Sequence, residues 1–177
     1  MKYSRDDLIQ EIQKIDDVVV RNSPLDKKDG GIVFDWKNAT FLLLPRNKNK
    51  ESNPLYASQK LDGEFSLNYV YRPLDTLPLI STIDKLRIAN YLTANSQNIC
   101  SVIYRESADS FVISAKYNPI IENLAAFKSM ESLKNNNIRY IIISLMSMCL
   151  FMSADLANLI TEYTKDSELQ IELLKGF

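Results

Sequence analysis

The sequence predicts an α+β fold: an antiparallel-rich sheet of about five strands in the order α-β-β-β-α-β-β-α, with extra C-terminal helices. Three observations predict it. Two stretches, Ile32–Leu44 and Cys100–Ala115, can each fold back on themselves so that apolar residues meet apolar residues across the pair. The segment Glu64–Tyr71 alternates, with Phe65, Leu67, Tyr69 and Tyr71 on one face and Ser66 and Asn68 on the other. Segments of helical periodicity flank these strands, and sequential strands with grouped helices define the α+β class.

The first element is a helix, Ser4–Ile15. Ser4 is placed to cap it, with Asp7 three residues on, and Leu8, Ile9, Ile12 and Ile15 form one apolar stripe. Val18–Val20 is a short β-branched run of strand character. Asn22-Ser23-Pro24 and Asp29-Gly30-Gly31 bracket a loop. In the hairpin Ile32–Leu44, a turn at Lys37-Asn38 sets Trp36 against Ala39, Phe34 against Phe41 and Ile32 against Leu43 on one face. Asp35–Thr40 and Val33–Leu42 fall on the other. Pro45–Gly63 reads as a long surface loop, because Arg46–Asn53 has no apolar residue and its three cations suit a solvated segment.

After the strand Glu64–Tyr71, a helix is expected from about Pro78 to Asn95, with Pro78 in its first turn. Leu79, Ile80, Ile83, Leu86 and Tyr91 form one broad face; of the two sides of this helix one is expected to meet the sheet and the other the chain's own C-terminal helices or a second subunit. Ile88 and Leu92 project nearly opposite and form a second apolar patch. Lys85, Arg87 and Asp84 read as the helix's polar side. The second hairpin closes through a four-residue loop, Glu106–Asp109. It pairs Tyr104 with Phe111, Val102 with Ile113 and Cys100 with Ala115. Helices follow at Ile120–Leu133, Arg139–Asp155 and Thr164–Phe177. Tyr140–Ala154 is an uncharged run of fifteen residues, short of the roughly 20 that span a bilayer, so a buried central helix is expected. Its methionines, Met146, Met148 and Met152, suit irregular core gaps. The expected organisation is a sheet domain, 1–118, with a helical region, 119–177, packed on it as one compact domain.

Composition narrows the functions. With 46% hydrophobic and 24% charged residues the chain has the profile of a globular domain able to bury a core. A net charge of −1 leaves no cationic surplus for a phosphate backbone or an anionic membrane surface. Cys100 and Cys149 sit in apolar runs and read as buried free thiols in a reducing compartment. No histidine is present, which removes imidazole ligands, Ser–His and Cys–His pairs, and the usual neutral-pH acid/base. No glycine-rich phosphate loop, nucleophile elbow, zinc-spaced cysteine pair or EF-hand loop occurs. The acidic pairs Asp6-Asp7, Asp16-Asp17 and Asp26/Asp29 diverge on any regular element, so a solvated or capping role is expected rather than a cation site. The strand aromatics Trp36, Tyr69, Tyr71, Tyr104 and Tyr117 read as core packing more than as a stacking platform. No catalytic residue, metal or cofactor is expected, and the polar N-terminus suits a cytoplasmic protein.

The stretch Leu79–Tyr117, "LISTIDKLRIANYLTANSQNICSVIYRESADSFVISAKY", carries a resemblance. A helix with an asparagine-rich end (Asn90, Asn95, Asn98) leads to a strand, a short polar turn and an apolar strand. With the element order of residues 4–163, this resembles the type III secretion chaperone-like fold, including the YbjN-like proteins. The loop 45–63 and the two or three helices after Pro119 depart from that pattern. The resemblance implies a small, acidic, non-enzymatic cytoplasmic protein that binds other proteins, often as a homodimer. On this reading a protein partner or a second copy would contact Ile88, Leu92, Tyr69 and Tyr71, and an apolar groove or sheet edge would take an extended segment. Two alternatives stay open: an immunity- or antitoxin-type inhibitor of a toxin, and a histidine-independent enzyme.

Overall fold

The structure, a computed structural model, describes residues 5–21, 31–45, 65–73, 80–96, 100–117 and 138–165. It has an α+β fold. The elements run α1 (Arg5–Gln13), β1 (Val18–Arg21), β2 (Ile32–Trp36), β3 (Ala39–Pro45), β4 (Phe65–Tyr71), α2 (Thr82–Asn95), β5 (Cys100–Arg105), β6 (Ser110–Tyr117) and α3 (Ile138–Tyr163). The strands form a six-stranded sheet in the order β1-β2-β3-β4-β6-β5. The sixth strand is the β-branched run Val18–Arg21, paired antiparallel with β2. The expected loops at 22–30 and 46–63, the helix 120–133, and the last helix beyond Lys165 lie outside the described residues.

The chain makes two compact units. The first is Met1–Asn68 with Lys116–Ser147; the second is Tyr69–Ala115 with Met148–Phe177. This division does not follow chain order as the expected split at 118/119 does, because β4, β6 and α3 each pass from one unit into the other.

In the first unit, β2 and β3 close through a two-residue turn. Lys37 and Asn38 have φ of 47° and 67°, the left-handed pair that matches the twist of a tight hairpin. The register is the expected one, Trp36↔Ala39 through Ile32↔Leu43. Phe34, Phe41, Ile32 and Leu43 are fully or almost fully buried, with the Phe34 and Phe41 rings stacked at 5.7 Å. Leu8, Ile12 and Ile15 are buried with them. Helix α1 itself ends at Gln13, so Ile15 lies in the following turn, where its N–H bonds Ile12 O at 3.0 Å.

In the second unit, α2 starts at Thr82 and not at Pro78, which lies outside the described residues. Ser81 is its N-cap. The hydroxyl accepts the Asp84 N–H at 3.2 Å and donates to Asp84 Oδ2 at 2.6 Å. Asp84 stands at the capping-box position, with its carboxylate taking the Ser81 hydroxyl in place of the Ser81 backbone N–H. The hairpin β5–β6 has the expected register, Cys100↔Ala115 to Arg105↔Ser110, and the loop Glu106–Asp109 closes it through a short 3-10 turn. Asp109 takes the left-handed conformation there, φ 42°, one that Asp tolerates better than most residues.

Helix α3 is longer than expected, 26 residues against Arg139–Asp155, because Asp155 and Glu162 point to solvent and give the helix no reason to stop. By length and composition it could cross a membrane, a test that core helices of soluble domains also pass; 39% of its most apolar window is buried. Ile141, Ile142, Leu145 and Met146, then Cys149, Leu156, Ile160 and Tyr163, form its buried stripe. Phe151 stands on the other side, 74% exposed.

Candidate protein-interaction site

A sheet that does not close has two edges, and each edge presents N–H and C=O groups that must find partners or stay in water. Here the edges are β5 and β1.

The β5 edge is covered over its central residue by the chain's own helix. Thr93 on α2 turns its hydroxyl onto the strand. Oγ1 donates to Val102 O at 3.0 Å and accepts the Val102 N–H at 2.8 Å. One hydroxyl thereby serves both outward groups of one strand residue. Ser96, just past the helix end, donates to Cys100 O. The other half of α2 is held by Lys85, only 5% exposed, whose Nζ lies 2.7 Å from Asp109 Oδ1 in the hairpin loop. Tyr104 OH donates to the same oxygen at 2.7 Å, and the ammonium lies 5.4 Å from the Tyr104 ring centre. The bonds from Lys85 and Tyr104 hold the Asp109 carboxyl below its usual range. Burial, then the bond to Asp109, pushes the Tyr104 phenol up.

This packing decides between the two apolar sides of α2. Ile88, Ala89 and Leu92 are buried, whereas Ile83, Leu86 and Tyr91 are 61%, 45% and 43% exposed. Ile88 and Leu92 therefore lie buried within a single copy of the chain. Lys85 also leaves the polar side where the sequence put it. The helix has two apolar patches, and periodicity cannot say which one faces the sheet. The hairpin loop decides it, because Asp109 supplies the anion that lets Lys85 turn inward. Tyr69 and Tyr71 are half-buried neighbours, with ring centres 6.4 Å apart, and burial pushes both phenols up.

The β1 edge is different. A two-residue turn makes Trp36–Ala39 a hydrogen-bonded pair, so Asp35 and Val33 direct their backbone groups to β1. Their partners there are Val19 and Arg21. Alternation then turns the N–H and C=O of Val18 and Val20 outward. The Val18 N–H reaches back to Ile15 O at 3.3 Å. Among the described residues no side chain covers the Val20 N–H or the two carbonyls, and Val19 is 62% exposed.

Concave surface adjoins this edge. One cleft of about 460 Å3 is lined by Asp17, Val19, Arg21, Asp35 and the turn residues Lys37 and Asn38. A second, of about 580 Å3, shares Asp17, Trp36 and Lys37 with it and adds Lys14, Ile15, Asp16, Arg139, Tyr140 and Ile143. Arg21 Nε bonds Asp35 Oδ2, and Thr40 donates to Asp35 Oδ1 at 2.6 Å. The Thr40 bond, with Arg21, holds the Asp35 carboxyl low. Lys37 Nζ sits 4.5 Å from the Trp36 ring centre and the Arg139 guanidinium 5.2 Å from that of Tyr140. The site is thus an open strand with an apolar centre, a carboxylate at one end and a guanidinium at the other.

Sequence reading did not single out Val19, Asp17, Arg21 or Thr93. The β-branched run at Val18–Val20 was the one available signal; that it forms an edge is a matter of tertiary pairing. Among the described residues no cluster of three or more acidic or thiol side chains could hold a metal ion. The chain matches no protein-family model, no curated protein and no solved structure.

Proposed function

We propose that this chain is a non-enzymatic protein-binding module that recognises its partner by strand addition at β1. The observation that carries the reading is the contrast between the edges: at the middle of β5 the Val102 N–H and O and the Cys100 O are taken by Thr93 and Ser96, and β1 offers Val20 N–H, Val18 O and Val20 O beside an exposed valine. An extended segment laid against β1 would gain main-chain hydrogen bonds, while the clefts at Asp17 and Trp36 would select among its side chains. The polar clusters support a structural rather than a catalytic role for their carboxylates. Asp35, Asp84 and Asp109 are all held low by bonds to their neighbours, the opposite of a poised acid. The free, buried thiols suit a reducing, cytoplasmic setting. The reading agrees with the resemblance to chaperone-like proteins and moves the contact from α2 to the sheet edge.

Val20→Pro tests it. The substitution removes an outward N–H and breaks no bond of the β1–β2 ladder, as edge strands tolerate. Affinity capture with both baits should recover a partner with the wild-type chain and lose it with Val20→Pro. In the wild-type complex the Val20 amide should be protected from hydrogen exchange. Equal recovery by the two baits would sink the reading.

A further inference from the structure

The residues along β1 say which strand fits it. Two copies of β1 can pair antiparallel about a two-fold axis at Val19. Val18 then stands opposite Val20 of the other copy, Val19 opposite Val19, and Asp17 opposite Arg21. Three independent features agree on this register. The outward backbone groups belong to Val18 and Val20, so the pair formed by these two residues is the one that can hydrogen-bond, through Val20 N–H to Val18 O of the other copy in each direction, the Val18 N–H being taken by Ile15 O. The side chains of Val19 and Arg21 share one face by strand alternation, and Asp17, in the turn just before the strand, lines the same cleft as both. Their order, acid–valine–base, is self-complementary under a two-fold: each end meets its opposite charge and the exposed valine meets itself. Moving the axis one residue either way sets Val19 against Asp17 or against Arg21, and both the apolar contact and the charge match are lost.

The carboxylate is also available. Asp17 has φ 63° at the turn into β1, is exposed, and makes no ion pair or side-chain hydrogen bond among the described residues. Arg21 holds Asp35 with one part of its fork and can present the rest, since guanidinium carries five donors. The paired sheet would then run a line of alternating charge across the junction: Asp35, Arg21, and Asp17 of the other copy.

We infer that the segment taken by β1 is β1 of a second copy, giving a homodimer with one continuous sheet. This rests on the reading of β1 as a binding edge and names its occupant. Sedimentation of the full chain measures it. The wild type should run at twice the 20.3 kDa of one chain. Val20→Pro should run as a folded monomer. Asp17→Arg and Arg21→Asp should each be monomeric alone, through like charges at both ends, and should form a dimer when mixed, because each restores the other's pairs. A wild type that stays monomeric at high concentration overturns the self-pairing and leaves the capture result for Val20→Pro to decide the edge reading separately. A dimer that persists in Val20→Pro and in both charge variants places the contact elsewhere and overturns the inference as well. Arg21→Asp could lose stability beside Asp35, and a thermal melt of each variant separates that from lost pairing. Should it fail to fold, monomeric Asp17→Arg together with monomeric Val20→Pro sustains the inference, and dimeric Asp17→Arg overturns it.

Discussion

The edges β5 and β1 solve one problem in two ways. Both are the last strands of the same sheet and both carry an exposed β-branched residue, Ile103 and Val19. At β5 the Val102 N–H and O and the Cys100 O are consumed by the hydroxyls of Thr93 on α2 and of Ser96 at its end. At β1 the chain supplies one long bond from a turn and otherwise short length and charge. The difference teaches that exposure of an apolar side chain is a poor guide to interaction when taken alone. What the backbone groups beneath it are doing decides whether a strand can be added.

The largest effect should come from loosening the helix that covers β5. Thr93→Val preserves shape and strips both bonds from Val102, for about 1–2 kcal/mol. It should also make β5 resemble β1, so new association on sedimentation would sharpen the comparison and strictly unchanged mass would weaken it. Asp109→Asn is next. It keeps a residue that tolerates φ 42° and removes the anion facing buried Lys85. The expected loss is about 1 kcal/mol, since Lys85 is buried but Asp109 is 38% exposed and solvent screens the pair. It should appear as a lower urea midpoint with unchanged slope. Acid should strain both regions together. Bonds to their neighbours hold Asp35 and Asp109 below the usual carboxylate range in the folded chain, so the stability they confer is present above the unfolded carboxylate pKa and is lost as pH falls through their folded pKa values. Asp109→Asn should flatten part of that acid slope. The smallest stability change belongs to Val20→Pro, under about 1 kcal/mol, since no ladder bond is removed.

Much of this architecture could be read from the residues. Both hairpin registers were legible pair by pair, Phe34↔Phe41 and Tyr104↔Phe111 among them, because one misplaced residue would have exposed every apolar side chain. The four-residue loop before Ser110 was legible for the same reason. The interaction site was not. A lysine on an amphipathic helix reads as solvated until its anion is known to lie 24 residues away, and Lys85 carried the facing of α2 with it. Thr93 looks like any helix threonine until Val102 is beside it. Ile88 and Leu92, the expected contact, proved to be what holds the helix on its own side.

The two thiols offer a way to watch the α2-covered region open. Both lie in the unit that holds β5, and Cys149 Sγ lies 4.0 Å from Ile113 O of β6. Burial pushes Cys100 up to about 11 and Cys149 up to about 12, so neither is a nucleophile near neutral pH while the fold is closed. A disulfide reagent can therefore attack only molecules that have transiently opened, and its rate counts them. The chain carries a clock for its own breathing, one that reads the α2-capped strand and is silent about the unit that presents β1.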